Sequence, residues 1–139
     1  MKKFKKVLSL VVLTAFLAAC ANKVDESTWE LVEDDISLST VEELLGNPNN
    51  IITNKNEMID IVNEKINTAK DVLDGSEIFL NDQLKEPLIR SIEAHETIRW
   101  GIETDSNIKI LQYEVENSDN IKNIYFLDDR VFFYDGALE

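Results

Sequence analysis

Residues 121–134 read I-K-N-I-Y-F-L-D-D-R-V-F-F-Y, and this stretch decides the fold class. Its β-branched and aromatic residues favour extended chain, and Asp128-Asp129 supplies the turn that folds Ile121–Leu127 back on Arg130–Tyr134. Neighbouring side chains in a strand point to opposite faces. Ile124 and Phe126 therefore share one face and Tyr125 and Leu127 the other, while Val131 and Phe133 oppose Phe132 and Tyr134. Both faces are apolar. Helices on one face leave the other in need of a partner, a loop, another protomer, or a cover from the segment around Trp29 or the Pro87 region. Tyr125, Phe132 and Tyr134 are the candidate partner-binding residues on that second face.

Working back along the chain, Ile108–Glu116 is another strand, whose parity shifts between Ile110 and Leu111; a bulge or burial on both faces accounts for it. Asn117–Asn120 and Asp105-Ser106-Asn107 are turn clusters. From Thr97 the alternation of Ile98, Trp100 and Ile102 with Arg99, Gly101 and Glu103 predicts a further strand. Asn56–Leu73 is the clearest helix. Met58, Ile59, Ile61, Val62, Ile66, Ala69, Val72 and Leu73 fall on one arc of about 160°, with Lys65 as the misfit whose stem can carry its ammonium to water. Leu80, Leu84, Leu88 and Ile92 mark a second helical region over residues 77–96, and Pro87 predicts a break into two helices. Ser39 and Glu42 form a capping box for a brief helix ending at Gly46 and Pro48. Trp29 and Leu31 alternate with Glu30, which predicts a short strand over Thr28–Val32. The expected fold is α+β, with helices followed by and packed on a three- to four-stranded antiparallel meander, in one domain over residues 28–139.

The N-terminus has a different character. Lys2, Lys3, Lys5 and Lys6 precede an apolar-to-small run from Val7 to Ala19, which ends at Cys20. That is the pattern of a secretory signal. As a helix the thirteen-residue run would rise roughly 20 Å, short of the ~30 Å hydrocarbon core, so a permanent span is the weaker reading. Leu17-Ala18-Ala19-Cys20 resembles the lipobox of bacterial lipoproteins, and Cys20 is the only cysteine. The resemblance implies diacylglyceryl transfer to the Cys20 sulfur and cleavage between Ala19 and Cys20. Residues 1–19 would then be a signal peptide, and residues 20–27 a lipidated cysteine with a polar tether. Acyl chains at ~0.8 kcal/mol per buried CH₂ hold such a domain to the membrane when two or more are present. Separately, Ser37–Pro48 (S-L-S-T-V-E-E-L-L-G-N-P) is similar to the helix-then-glycine motif of small SmpA/OmlA-type lipoproteins. That likeness implies helices on a short antiparallel sheet and a role in protein binding.

Composition narrows the functions. The chain of 139 residues has 27 acids against 14 bases, and four of the bases lie in residues 1–19, which hold no acid; the remainder carries −17. A body this acidic lacks the basic footprint that nucleic acid or anionic lipid requires. One cysteine and one histidine exclude a disulfide framework and His-paired metal motifs. His95 continues a leucine stripe, which places it at a core margin, and no G-x-S-x-G element accompanies it. Asp34-Asp35 and Asp128-Asp129, with Asp135 nearby, do not fit a calcium-loop pattern. Thirteen Asn, fifteen Ile and eleven Lys point to an AT-rich genome and hence a low-GC Gram-positive host.

These readings converge on a non-enzymatic lipoprotein, held by lipid on Cys20 at the extracytoplasmic face of the cell membrane. It would bind a cationic protein or peptide and would need no cofactor or metal. The alternative is a small solute- or ion-binding accessory lipoprotein of a transporter.

Overall fold

The computed structural model describes residues 23–75 and 82–136. The signal segment, Ala19, Cys20 and Leu80 lie outside the described residues. In chain order the elements are β1 (Lys23–Val24), α1 (Glu26–Trp29), α2 (Leu38–Leu45), β2 (Asn50–Ile52), α3 (Lys55–Gly75), α4 (Asp82–Glu103), β3 (Ile108–Val115), β4 (Ile121–Leu127) and β5 (Arg130–Tyr134). The fold is α+β, as expected, but the sheet is mixed rather than an antiparallel meander. β3, β4 and β5 are antiparallel neighbours; the other edge of β3 carries antiparallel β2 and, beyond it, parallel β1. The segment read as a tether thus contributes a strand, with Val24 buried against Val115.

β3 accounts for the architecture. Ile108 and Ile110 point to α3 and α4, while Leu111, Tyr113 and Val115 point to the opposite face. Strict alternation along β3 gives burial on both faces, so the parity shift near Ile110 needs no bulge. The helical face is filled by Met58, Val62 and Ile66 from α3 and by Ile92, Ile98 and Ile102 from α4. The other face is covered by the N-terminal chain, through Trp29, Val32 and Val41. Trp29 meets Tyr113 and Tyr134 edge-on, and its indole N–H donates to the Asp135 carbonyl at 3.2 Å. Of the covers open to the second face, the segment around Trp29 is the one that forms.

Several local expectations change for physical reasons. Thr28–Val32 is not a strand. Asp25 caps a helical turn by accepting from the Ser27 amide at 2.8 Å, which buries Trp29 and Val32 at helical spacing and leaves Leu31 exposed. The cap of α2 is Ser37, not Ser39: its Oγ accepts from the Thr40 amide. Backbone bonds from Leu38 to Asp129 and from Val131 to Ile36 hold the preceding residues along β5, so the helix starts as the chain leaves that edge. Pro87 lies inside one continuous helix. It is the sixth residue of α4, where its missing N–H removes a single bond beyond the turn whose donors are unpaired anyway.

Residues 97–103 are helical as well. Ile92, His95, Ile98 and Ile102 continue one stripe at helical spacing, which outweighs the short alternation around Trp100. Gly101 sits where α4 closes on β3; a Cβ there would meet Ile108 Cδ1 at 2.7 Å. Lys65, the misfit of α3, carries its ammonium to the rim of the fold, part-exposed and 2.9 Å from Asp135 Oδ2.

Val62 is fully buried and Asn67 is exposed on the outer face of α3. Val62→Asp should cost several kcal/mol by burying an unpaired carboxylate, and Asn67→Asp about half a kcal/mol or less. Urea midpoints of the two variants check the packing of α3 directly.

Candidate functional site

The β4–β5 hairpin turns through Asp128 and Asp129, both with positive φ (51° and 59°), the two-residue geometry that matches strand twist. Leu127 pairs with Arg130 and Phe126 with Val131, but Tyr125 pairs with Phe133, so Phe132 is an extra residue with no partner across the ladder. This β-bulge inverts the parity expected for β5. Val131 and Tyr134 pack toward Trp29, and Phe133 toward the helices. Tyr125, Phe132 and Tyr134 therefore do not form one face. Tyr125 is fully buried under α4, Tyr134 is half-buried against Trp29, and Phe132 alone is exposed, at 39%.

Phe132 has a different neighbour from those expected. Between α4 and the hairpin lies an apolar groove of about 90 Å³. Trp100, Leu127 and Phe132 are its exposed apolar rim, and the buried Ile98, Ile108 and Tyr125 form its floor. Trp100 is 66% exposed, the most open large apolar side chain among the described residues. Two hydroxyls on this flank of α4 are satisfied by their own helix. Thr97 Oγ1 donates to the Glu93 carbonyl and Thr104 Oγ1 to the Trp100 carbonyl, both at 2.9 Å. What the groove offers is apolar contact.

Beneath it, His95 is sealed. Nδ1 lies 2.7 Å from the Ser91 carbonyl, which can only accept, so Nδ1 carries the proton and Nε2 accepts from the Tyr125 hydroxyl at 3.1 Å. The ring stands edge-on to Tyr125 and Phe133. Burial pushes the His95 pKa below its ordinary value, against the raising effects of the Ser91 carbonyl and Asp135. Both nitrogens are engaged, so His95 cannot reach a substrate from here.

At the opposite end of the sheet is a polar basin of about 300 Å³, with Glu26, Lys65, Lys122 and Asp135 on its walls. Asp135 Oδ2 also accepts from the Asn123 amide and side chain, each at 2.9 Å. The Lys122 ammonium sits 5.7 Å from the Trp29 ring centroid. Among the described residues no three His, Cys, Asp or Glu side chains are grouped so as to hold a metal, and no helix is long and apolar enough to span a membrane. No family model matches the chain, and no curated protein or solved structure does either.

Sequence reasoning missed Trp100 because it sat inside a presumed strand. In a helix its position lies off the buried stripe, and an aromatic residue off the stripe is the signal that finds the groove.

Two measurements follow. Tyr125→Ala should cost about 3–5 kcal/mol by opening a cavity, whereas Phe132→Ser should cost no more than about 1 kcal/mol; chemical denaturation separates them. His95 has a folded pKa below its unfolded value of about 6.5, so the unfolded state takes up the proton first. Stability should be full above that pH and fall as pH drops below it toward the folded pKa. A His95→Gln variant should show a flatter profile over the same window in urea titrations.

Proposed function

We propose that this protein is a lipid-anchored, non-enzymatic surface protein that binds a protein or peptide partner on the extracytoplasmic side of the cell membrane. The observation that carries the reading is the lysine-led apolar segment ending in Leu17-Ala18-Ala19-Cys20 at the only cysteine of the chain. The likeness of Ser37–Pro48 to protein-binding SmpA/OmlA-type lipoproteins points the same way. The domain begins at β1, three residues after Cys20, at the Val115 end of β3. The groove touches Ile108 at the other end. Seven residues at about 3.3 Å each separate the two, a distance of about 23 Å. An acyl anchor on Cys20 would then put the groove at the end of the domain that faces away from the membrane.

A second reading, a solute-binding accessory of a transporter, draws on the polar basin with its two lysines and its carboxylates. Calorimetric titration with small amino acids and divalent cations tests it, and Lys65→Ala should abolish any heat that belongs to the basin.

For the anchor, Cys20→Ala should end palmitate incorporation and leave an uncleaved or shed precursor. Radiolabel that persisted in the variant would remove the lipoprotein reading.

A further inference from the structure

We infer that the groove between Trp100 and Phe132 docks a cationic peptide segment, which inserts one branched aliphatic side chain between the two rings. The inference rests on the reading of the chain as a partner-binding protein and names the chemistry of the partner. Size sets the inserted group. The groove holds about 90 Å³, a little over half of the ~150 Å³ that accommodates benzene in an apolar cavity. That suits the end of a leucine side chain and is too small for an indole. Two exposed aromatic rings around a buried floor are the arrangement from which binding hot spots are built.

Charge sets the flanks. Four cations on this side of the fold are paired: Lys109 with Asp129, Arg130 with Asp35, Lys55 with Asp105, and Lys70 with Glu96. Arg99 keeps its charge, donating to the neutral Asn63 side-chain oxygen at 3.3 Å. Glu93, one helical turn before Thr97, Glu103, just after Trp100, and Asp128, next to Leu127, have no ion-pair partner among the described residues. Three unpaired carboxylates against the one guanidinium leave the charge around the groove negative, on a body that carries −17 beyond residue 19. That field opposes a second copy of the chain and an anionic bilayer, and attracts a basic segment.

The test uses the full-length protein, taken from whichever cell fraction carries it, and a fluorescein-labelled heptapeptide with a central leucine and three lysines on each side. Binding is read by anisotropy at low and moderate salt. The peptide should bind, and alanine in place of its leucine should weaken it about tenfold or more. Trp100→Ala and Phe132→Ala should each do the same. Ile121→Ala, which removes an exposed apolar group from the far end of the sheet, should change nothing. Glutamates in place of the lysines should abolish binding.

No binding would overturn the inference, as would binding that ignores the leucine or both groove variants, because charge alone would then explain it. Association with phosphatidylglycerol vesicles that depends on Trp100 would assign the groove to a membrane, and a dimer lost in Trp100→Ala would assign it to a second copy. Either overturns it. Acylation of Cys20, measured by mass on the same preparation, keeps the two readings apart. An acylated protein that ignores the peptide refutes the groove alone, and an unacylated protein that binds it refutes the anchor alone.

Discussion

Both faces of β3 have to be kept from water, and the rest of the molecule follows from that constraint. Ile108 and Ile110 demand cover on one side, and Leu111, Tyr113 and Val115 on the other. A long helical hairpin supplies the first cover. The second comes from sequence that precedes every long element, through Trp29, Val32 and Val41. β1 and β2 both attach to the same edge of this strand, and Asn49 joins them by accepting from the Glu114 amide while its own N–H donates to the Gln112 carbonyl. The stretch from Val24 to Val41 is therefore core rather than tether. A truncation there would strip one face of the sheet, not shorten a stalk.

The groove is a by-product of how the opposite face is closed. α4 is pinned to the sheet by His95, which stands edge-on to Tyr125 and Phe133 and bonds to the Tyr125 hydroxyl. One and a half turns later the same helix presents Trp100 on its outer flank. The bulge in β5 frees Phe132 from the ladder and sets its ring at the groove's rim. Bulges concentrate at sheet edges and re-aim side chains there. The edge itself is protected, because the Asp35–Leu38 segment bonds along its start. The open feature at this flank is apolar side-chain surface rather than unpaired backbone, which favours side-chain insertion over strand addition as the mode of recognition.

The sequence was legible where a pattern ran long enough. The arc of α3, strand β4 and the turn at Asp128-Asp129 could all be read, the first two because each repeats one period without competition and the turn because its two acids tolerate positive φ. Thr28–Val32 and Thr97–Glu103 could not. In both, two or three alternating apolar residues imitate a strand, and the deciding information lies outside the window: the Asp25 cap in one case, the Ile92–His95–Ile98 stripe in the other. Pro87 misled because its cost depends on its distance from the helix start: a helical region read from residue 77 puts it in the interior, whereas α4 runs from Asp82 and has it as its sixth residue. Tyr125, Phe132 and Tyr134 were grouped by parity, and a single inserted residue in β5 undoes parity. No local signal in R-V-F-F-Y marks which residue bulges; the choice is made by Tyr125 and Phe133 meeting His95 beneath α4.

Chain geometry adds a final constraint to the proposed anchor. From Cys20 to Lys23 the chain reaches no more than about 11 Å even fully extended, and β1 is fixed to β3 by pairing and by the buried Val24. An acylated domain of this kind could not swing freely on a stalk. Its Val115 end, with the polar basin, would be kept near the headgroups. Its net charge would resist lying flat on an anionic surface, since the repulsion acts along the whole body and the lipid only at one end. An upright arrangement of the proposed anchored form would satisfy both terms at once, and it would present the groove and its unpaired carboxylates to whatever approaches from outside. Long-range attraction would then orient a basic partner before any apolar contact is made, leaving the Trp100–Phe132 rim to determine how long it stays.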